Sequence, residues 1–71
     1  MKKEKRLLRL LGKNIRKIRL QRKMSQEELA LSCFIDQSYI TKIEKSKVNP
    51  TIKTLYKIAR KLKVKLSYLF E

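Results

Sequence analysis

The sequence predicts an all-α fold. Three observations lead there: one Gly and one Pro among 71 residues, no run of alternating β-branched positions, and apolar residues recurring at intervals of three and four. A chain of this length makes one domain at most. So small a core yields only a few kcal/mol beyond the chain entropy it must offset, and association with a further copy is therefore expected.

The elements follow in order. Residues 1–5, MKKEK, hold nothing that can be buried and read as a flexible basic arm before a domain spanning residues 6–71. At about 100° per residue, Leu8, Leu11, Ile15 and Ile18 fall in one arc of a first helix, with Arg9, Lys13, Arg16 and Lys17 projecting elsewhere. Ser25 with Glu28 has the S-x-x-E form of a capping box, which starts a second, short helix through Leu29 and Ala30. Asp36 can cap a third helix in the same way, with Ile40 and Ile43 as its buried positions and Ile35 plugging the core just before it. Pro50 breaks the pattern. Thr51 then caps a fourth helix with the stripe Ile52, Leu55, Ile58, Ala59 and Leu62, and a fifth short helix closes the chain at Leu66, Leu69 and Phe70.

Charge narrows the function. Twenty Lys and Arg against six Asp and Glu give a net charge of +14, a self-repulsion that a polyanionic partner would relieve. One Cys and no His leave neither an intrachain disulfide nor a Cys/His zinc site, and no metal or cofactor is expected. The lone thiol of Cys33 reads as a small buried hydrophobe. The apolar patch LLRLLG is short and broken by Arg9, so it is neither a signal peptide nor a membrane span, and a cytoplasmic protein is expected. With no His, no Gly-rich phosphate loop and no acid pair outside the capping box, an enzyme is not expected.

Two short helices separated by about four residues match a helix-turn-helix, whose second helix lies in the major groove. Taking Gln37 as zero, Thr41, Lys45, Ser38 and Lys42 lie between 0° and roughly 140°, and Tyr39, Ile43 and Ile40 between roughly 200° and 300°. The polar arc carries no acid. Gln pairs with adenine, Lys donates to guanine, and Ser or Thr touches several base edges, so Gln37, Ser38, Thr41 and Lys42 are the candidates for base readout on a recognition helix of about residues 36–45. Contacts that set register come from Tyr39, Lys45, Lys47 and Asn49 around that helix and from Arg22 or Lys23 before it.

The segment SQEELALSCFIDQSYITKIEK, with IRKIRLQRKM before it and NPTIKTLYKIARKLKV after it, resembles the Cro/C1-type (XRE-like) helix-turn-helix family. The resemblance implies a compact five-helix lambda-repressor-like domain, with helices two and three forming the helix-turn-helix. It also implies a homodimer on a two-fold related operator in double-stranded DNA, in a repressor or controller type of transcriptional regulator. By position, Gln26 resembles a residue that contacts phosphate and braces the first residue of the recognition helix, here Gln37. Arg19 and Glu44 resemble a salt-bridged pair, with Arg19 also near phosphate; both sit at the edge of their apolar stripes, where partial burial strengthens such a bridge. The chain departs from the family at Phe34 and Ser46, where Gly is frequent, and at Lys65, where a Ser or Thr cap is usual. A bulky residue disfavours positive φ, so the turn at Phe34 is expected to be adjusted or strained.

Val64, Leu66, Tyr68, Leu69 and Phe70 carry more apolar surface than so short a tail needs and are the expected dimer interface. A membrane partner and a small-molecule ligand are not expected. Two rival readings are an RNA-binding protein and a cationic membrane-surface protein. The first wants exposed stacking aromatics, and the second has no use for the base-reading amides of Gln37 and Asn49.

Overall fold

The computed structural model describes residues 2–71, with side chains from Glu4 onward. Four α-helices, α1 (Lys2–Gln21), α2 (Gln26–Cys33), α3 (Gln37–Glu44) and α4 (Ile52–Lys61), are followed by a 3₁₀ turn at Leu66–Phe70. There is no strand among the described residues. The all-α expectation holds, with one refinement: the fifth element is a 3₁₀ turn of five residues, a form used in short pieces at helix ends and connections.

The first helix is longer than its apolar stripe suggested. Lys2–Lys5, expected as an irregular arm, belong to α1; Met1 lies outside the described residues. Lys, Glu, Arg and Leu are strong helix formers, and Glu4 complements the positive end of the helix dipole. At about 1.5 Å per residue, α1 spans roughly 30 Å, close to the 31 Å long axis of the whole molecule. Every other element packs on it or on a neighbour that does.

The core is one cluster: Leu11, Ile15 and Ile18 of α1, Leu29, Ala30 and Cys33 of α2, Ile40 and Ile43 of α3, Leu55, Ile58 and Ala59 of α4, then Leu62 and Leu69. Ile35 packs half-buried against it, and Leu8, expected on the α1 stripe, is also half-buried. Ile52, assigned to the α4 stripe, is 64% exposed. It is the first residue of α4 and overhangs the end of the core. Lys53, Lys57, Arg60 and Lys61 form the exposed face of that helix.

The caps are of two kinds. Ser25 forms the full capping box, its Oγ accepting from the Glu28 amide at 3.0 Å while the Glu28 carboxylate accepts from the Ser25 amide at 2.8 Å. Thr51 caps α4 through the Thr54 amide at 3.2 Å. Asp36 occupies the N-cap of α3 with extended backbone, yet its side chain makes no capping bond, contrary to expectation. The carboxylate is exposed, where water solvates it equally well.

All four α-helices end the same way. One or two positions past each helix a residue turns left-handed, at Lys23 (φ 58°), Phe34 (59°), Ser46 (62°) and Lys63 (61°). Each time its amide and the next one bond back to the last turn, for example Phe34 N–H to Leu31 O at 3.2 Å and Ile35 N–H to Ala30 O at 3.0 Å. This is the Schellman arrangement, usually built on Gly. The only Gly stands elsewhere, inside α1: a Cβ on Gly12 would lie 2.6 Å from the Ile43 carbonyl oxygen and 2.8 Å from that of Glu44. Its missing side chain lets the end of α3 abut α1.

Candidate nucleic-acid interface

The site is assembled where α3 meets α1 and the start of α2. Arg19, on the edge of the α1 stripe, donates from Nε to Glu44 Oε2 at 2.7 Å and from Nη2 to Glu44 Oε1 at 3.1 Å. Its Nη1 donates to the Met24 carbonyl at 2.8 Å. The two side chains are 8% and 4% exposed, so this bidentate pair works in a medium where its geometry counts.

Gln26, the first residue of α2, extends the network. Its Nε2 donates to Glu44 Oε1 at 3.0 Å, and its Oε1 accepts from Thr41 Oγ1 at 2.7 Å. Carboxylates only accept and the Thr hydroxyl has one hydrogen, so the orientation of the amide follows from its partners. The resemblance assigned Gln26 to bracing Gln37; here it braces Thr41 and Glu44. Those two residues are three apart on α3 and share the face that meets α2, whereas Gln37 stands exposed at the free end of the helix.

The expected base-contacting residues divide accordingly. Gln37, Ser38 and Lys42 are exposed and carry side chains that the structure leaves open to solvent. Thr41 is half-buried; its hydroxyl donates to Gln26 Oε1 at 2.7 Å, with the Gln37 carbonyl at 3.2 Å as the longer contact, so toward a ligand its oxygen is left to accept only. Ile40 and Ile43 are buried on the opposite side. The one acid near the polar arc, Glu44, is fully engaged, and Asp36 lies off the arc by helix position.

Among the expected backbone contacts, Lys45, Lys47 and Asn49 are exposed around the end of α3, and Tyr39 is half-buried. Arg22 spends its Nε on the Leu62 carbonyl at 2.9 Å, tying the end of α1 to the end of α4. Lys23 is the left-handed residue that closes α1.

Sequence reasoning passed over two cations. Lys5 and Arg9 of α1 line a cleft of about 420 Å³ with Glu44, Lys45 and Ser46. The signal was present in their i, i+4 spacing, once α1 is continued back past Leu8. Ser46 Oγ donates to the Leu8 carbonyl at 3.2 Å and holds the two segments together.

In the C-terminal segment, Leu69 is 0% exposed and belongs to the core, which removes it from the expected dimer interface. The Asn14 amide donates to the Leu69 carbonyl at 2.9 Å and pins the turn to α1. Val64, Leu66 and Phe70 are half-buried against the core, and Tyr68 is exposed. No helix among the described residues is long and apolar enough to cross a membrane, and they contain no group of His, Cys, Asp or Glu able to hold a metal ion. Burial pushes the Cys33 thiol above its ordinary pKa.

The helix-turn-helix family HTH_3 matches residues 15–69. The chain belongs to this family. As an HTH_3 chain it is a DNA-binding regulator of transcription, and solved HTH_3 structures share its fold. A hypothetical transcription factor, NHTF, from Neisseria superposes with a TM-score of 0.90 at 32% identity, over 96% of this chain and 78% of that one. The restriction–modification controller protein C.Esp1396I, solved as a tetramer with its natural 35-base-pair operator, gives 0.81 at 41% identity, over 90% of this chain and 84% of that one. Among relatives, the control protein C.BamHI of Bacillus amyloliquefaciens is 39% identical over 56 residues, 78% of this chain and 69% of that protein.

Proposed function

We propose that this regulator acts in the cytoplasm as a homodimer on a two-fold related operator, in the manner of a repressor or a restriction–modification controller. The observation that carries this reading is the exposed, acid-free arc of Gln37, Ser38 and Lys42 on a helix braced from behind by Arg19, Glu44, Gln26 and Thr41. A helix held this way reaches base edges without spending binding energy on its own ordering. Gln37, Ser38 and Lys42 read bases as donors and acceptors, and Thr41 contributes as an acceptor. Lys45, Lys47, Asn49 and Tyr39 set register on the phosphates, with Arg22 and Lys23 from the end of α1. Arg19, expected beside phosphate, is buried with its donors spent on Glu44 and Met24, and Gln26 spends its amide on Glu44 and Thr41, so both position the helix from within.

The dimer forms through the C-terminal segment, with Val64, Leu66, Tyr68 and Phe70 as its apolar surface. Two-fold symmetry then spaces the recognition helices about 34 Å apart. The alternatives of RNA or a lipid surface gain no support, because the exposed arc offers amide and hydroxyl groups rather than a stacking platform or an apolar face.

Selection of bound sequences from random duplex DNA tests this directly. A palindromic site with half-sites one helical turn apart, or a multiple of it, is expected, together with relaxed preference at one defined base pair for Gln37→Ala. Recovery of no consensus, or an equal loss on every duplex for Gln37→Ala, Ser38→Ala and Lys42→Ala, overturns the base-reading assignment.

A further inference from the structure

A cleft lies between the first half of α1 and the end of α3, and its α1 wall precedes the family match, which begins at residue 15. It is lined by Lys5 and Arg9 of α1 and by Glu44, Lys45 and Ser46 at the end of α3. The Glu44 carboxylate does not neutralise these cations, since both its oxygens are committed to Arg19 and Gln26 and its side chain is 4% exposed. Lys5, Arg9 and Lys45 are all exposed. Among the described residues none of the three has an ion-pair partner, so three cations facing one cleft repel one another, and an anion seated among them relieves that repulsion.

The position of the cleft identifies the anion. Lys45 falls on the same arc of α3 as Gln37, Ser38, Thr41 and Lys42, so the cleft opens at the last turn of the groove-facing side. A helix lying in the major groove leaves it over the sugar–phosphate backbone. Gly12 lets α1 approach the end of α3, and the Ser46–Leu8 hydrogen bond fixes the two segments, so the cations are held in place rather than carried on a loose arm.

We infer that Lys5 and Arg9, with Lys45, form a second phosphate-binding site, by which the extended first helix grips the DNA backbone next to the recognition helix. The inference rests on the DNA-bound reading given above and deepens it. It makes α1 part of the DNA contact and assigns it affinity without sequence preference.

The test compares three proteins: the wild type, Lys5→Gln/Arg9→Gln, and Lys53→Gln/Lys57→Gln. The last pair removes the same charge from the exposed face of α4. Binding to a duplex with the selected site and to an unrelated duplex is measured across a salt titration, with the melting temperature of each protein. The cleft pair is expected to weaken both duplexes by the same factor, about tenfold near physiological salt, and to lower the salt slope by roughly 1.8 per protomer. The α4 pair is expected to leave the slope near the wild-type value.

Equal slope changes from the two pairs would reduce the cleft to general charge and overturn the inference. A lower melting temperature with an unchanged slope would do the same, since the cations would then serve only to offset the α3 dipole. A loss confined to the selected site would make Lys5 and Arg9 base readers and refute the phosphate assignment. If the wild type binds neither duplex, the DNA-bound reading itself fails and the cleft falls with it.

Discussion

The α1–α3 crossing and the four helix ends handle backbone space in opposite ways. At the crossing the fold uses its one Gly inside a helix, where the residue is intrinsically unfavourable, because two carbonyl oxygens leave no room for a Cβ. At the helix ends, where Gly would be favoured, the chain places Lys23, Phe34, Ser46 and Lys63 in left-handed conformation. The first is a packing constraint with no alternative. The second is strain of about 1–2 kcal/mol per position that the exposed ends tolerate.

The sharpest way to break this contrast lies beside Gly12. Arg19→Met leaves the Glu44 carboxylate without its cation in a nearly closed site and is expected to cost about 3–5 kcal/mol. The double variant Arg19→Met/Glu44→Met should recover much of that loss, and urea unfolding of the single and double variants measures the coupling. Gly12→Ala comes next: the gain in helix propensity is outweighed by displacement of α3, for a net loss of about 1–3 kcal/mol. A neutral Gly12→Ala would show that the crossing has slack.

At the ends the sign reverses. Phe34→Gly removes a side chain that is 90% exposed, so no burial is lost. A gain of about 0.5–1 kcal/mol is expected by thermal or urea unfolding. Ser46→Gly should gain less, since it also gives up the bond to the Leu8 carbonyl. The smallest effect concerns Cys33, one residue before Phe34 yet 1% exposed. With burial raising its pKa, the thiol should react with a disulfide reagent only at the rate of unfolding, and the Cys33→Ala protein should bind the selected duplex as the wild type does.

Local signals were readable from the residues themselves. The Ser25–Glu28 box, the Thr51 cap and the stripes through Ile15, Ile40 and Ile58 depend on spacing within one helix. Family resemblance added the Arg19–Glu44 pair. What escaped was tertiary. The partner of Gln26 depends on which turn of α3 faces α2, and the burial of Leu69 depends on how the last turn seats on α1. The role of Gly12 exists only at a crossing. Lys2–Lys5 escaped for another reason: a search for apolar periodicity is blind to a stretch of helix that carries no apolar residue.

The hydrogen bond from Asn14 to the Leu69 carbonyl has a consequence for dosage. It anchors the tail within a single chain, so in the proposed dimer a second copy would meet a surface whose main chain is already ordered, and docking would be spared part of the entropy cost of making one. Folding and pairing then become separate equilibria. At protein concentrations below the pairing constant the monomer would already be folded, and the melting point would rise with concentration only once pairing sets in. For a regulator of this kind, the amount of protein in the cell would be the quantity its operator measures.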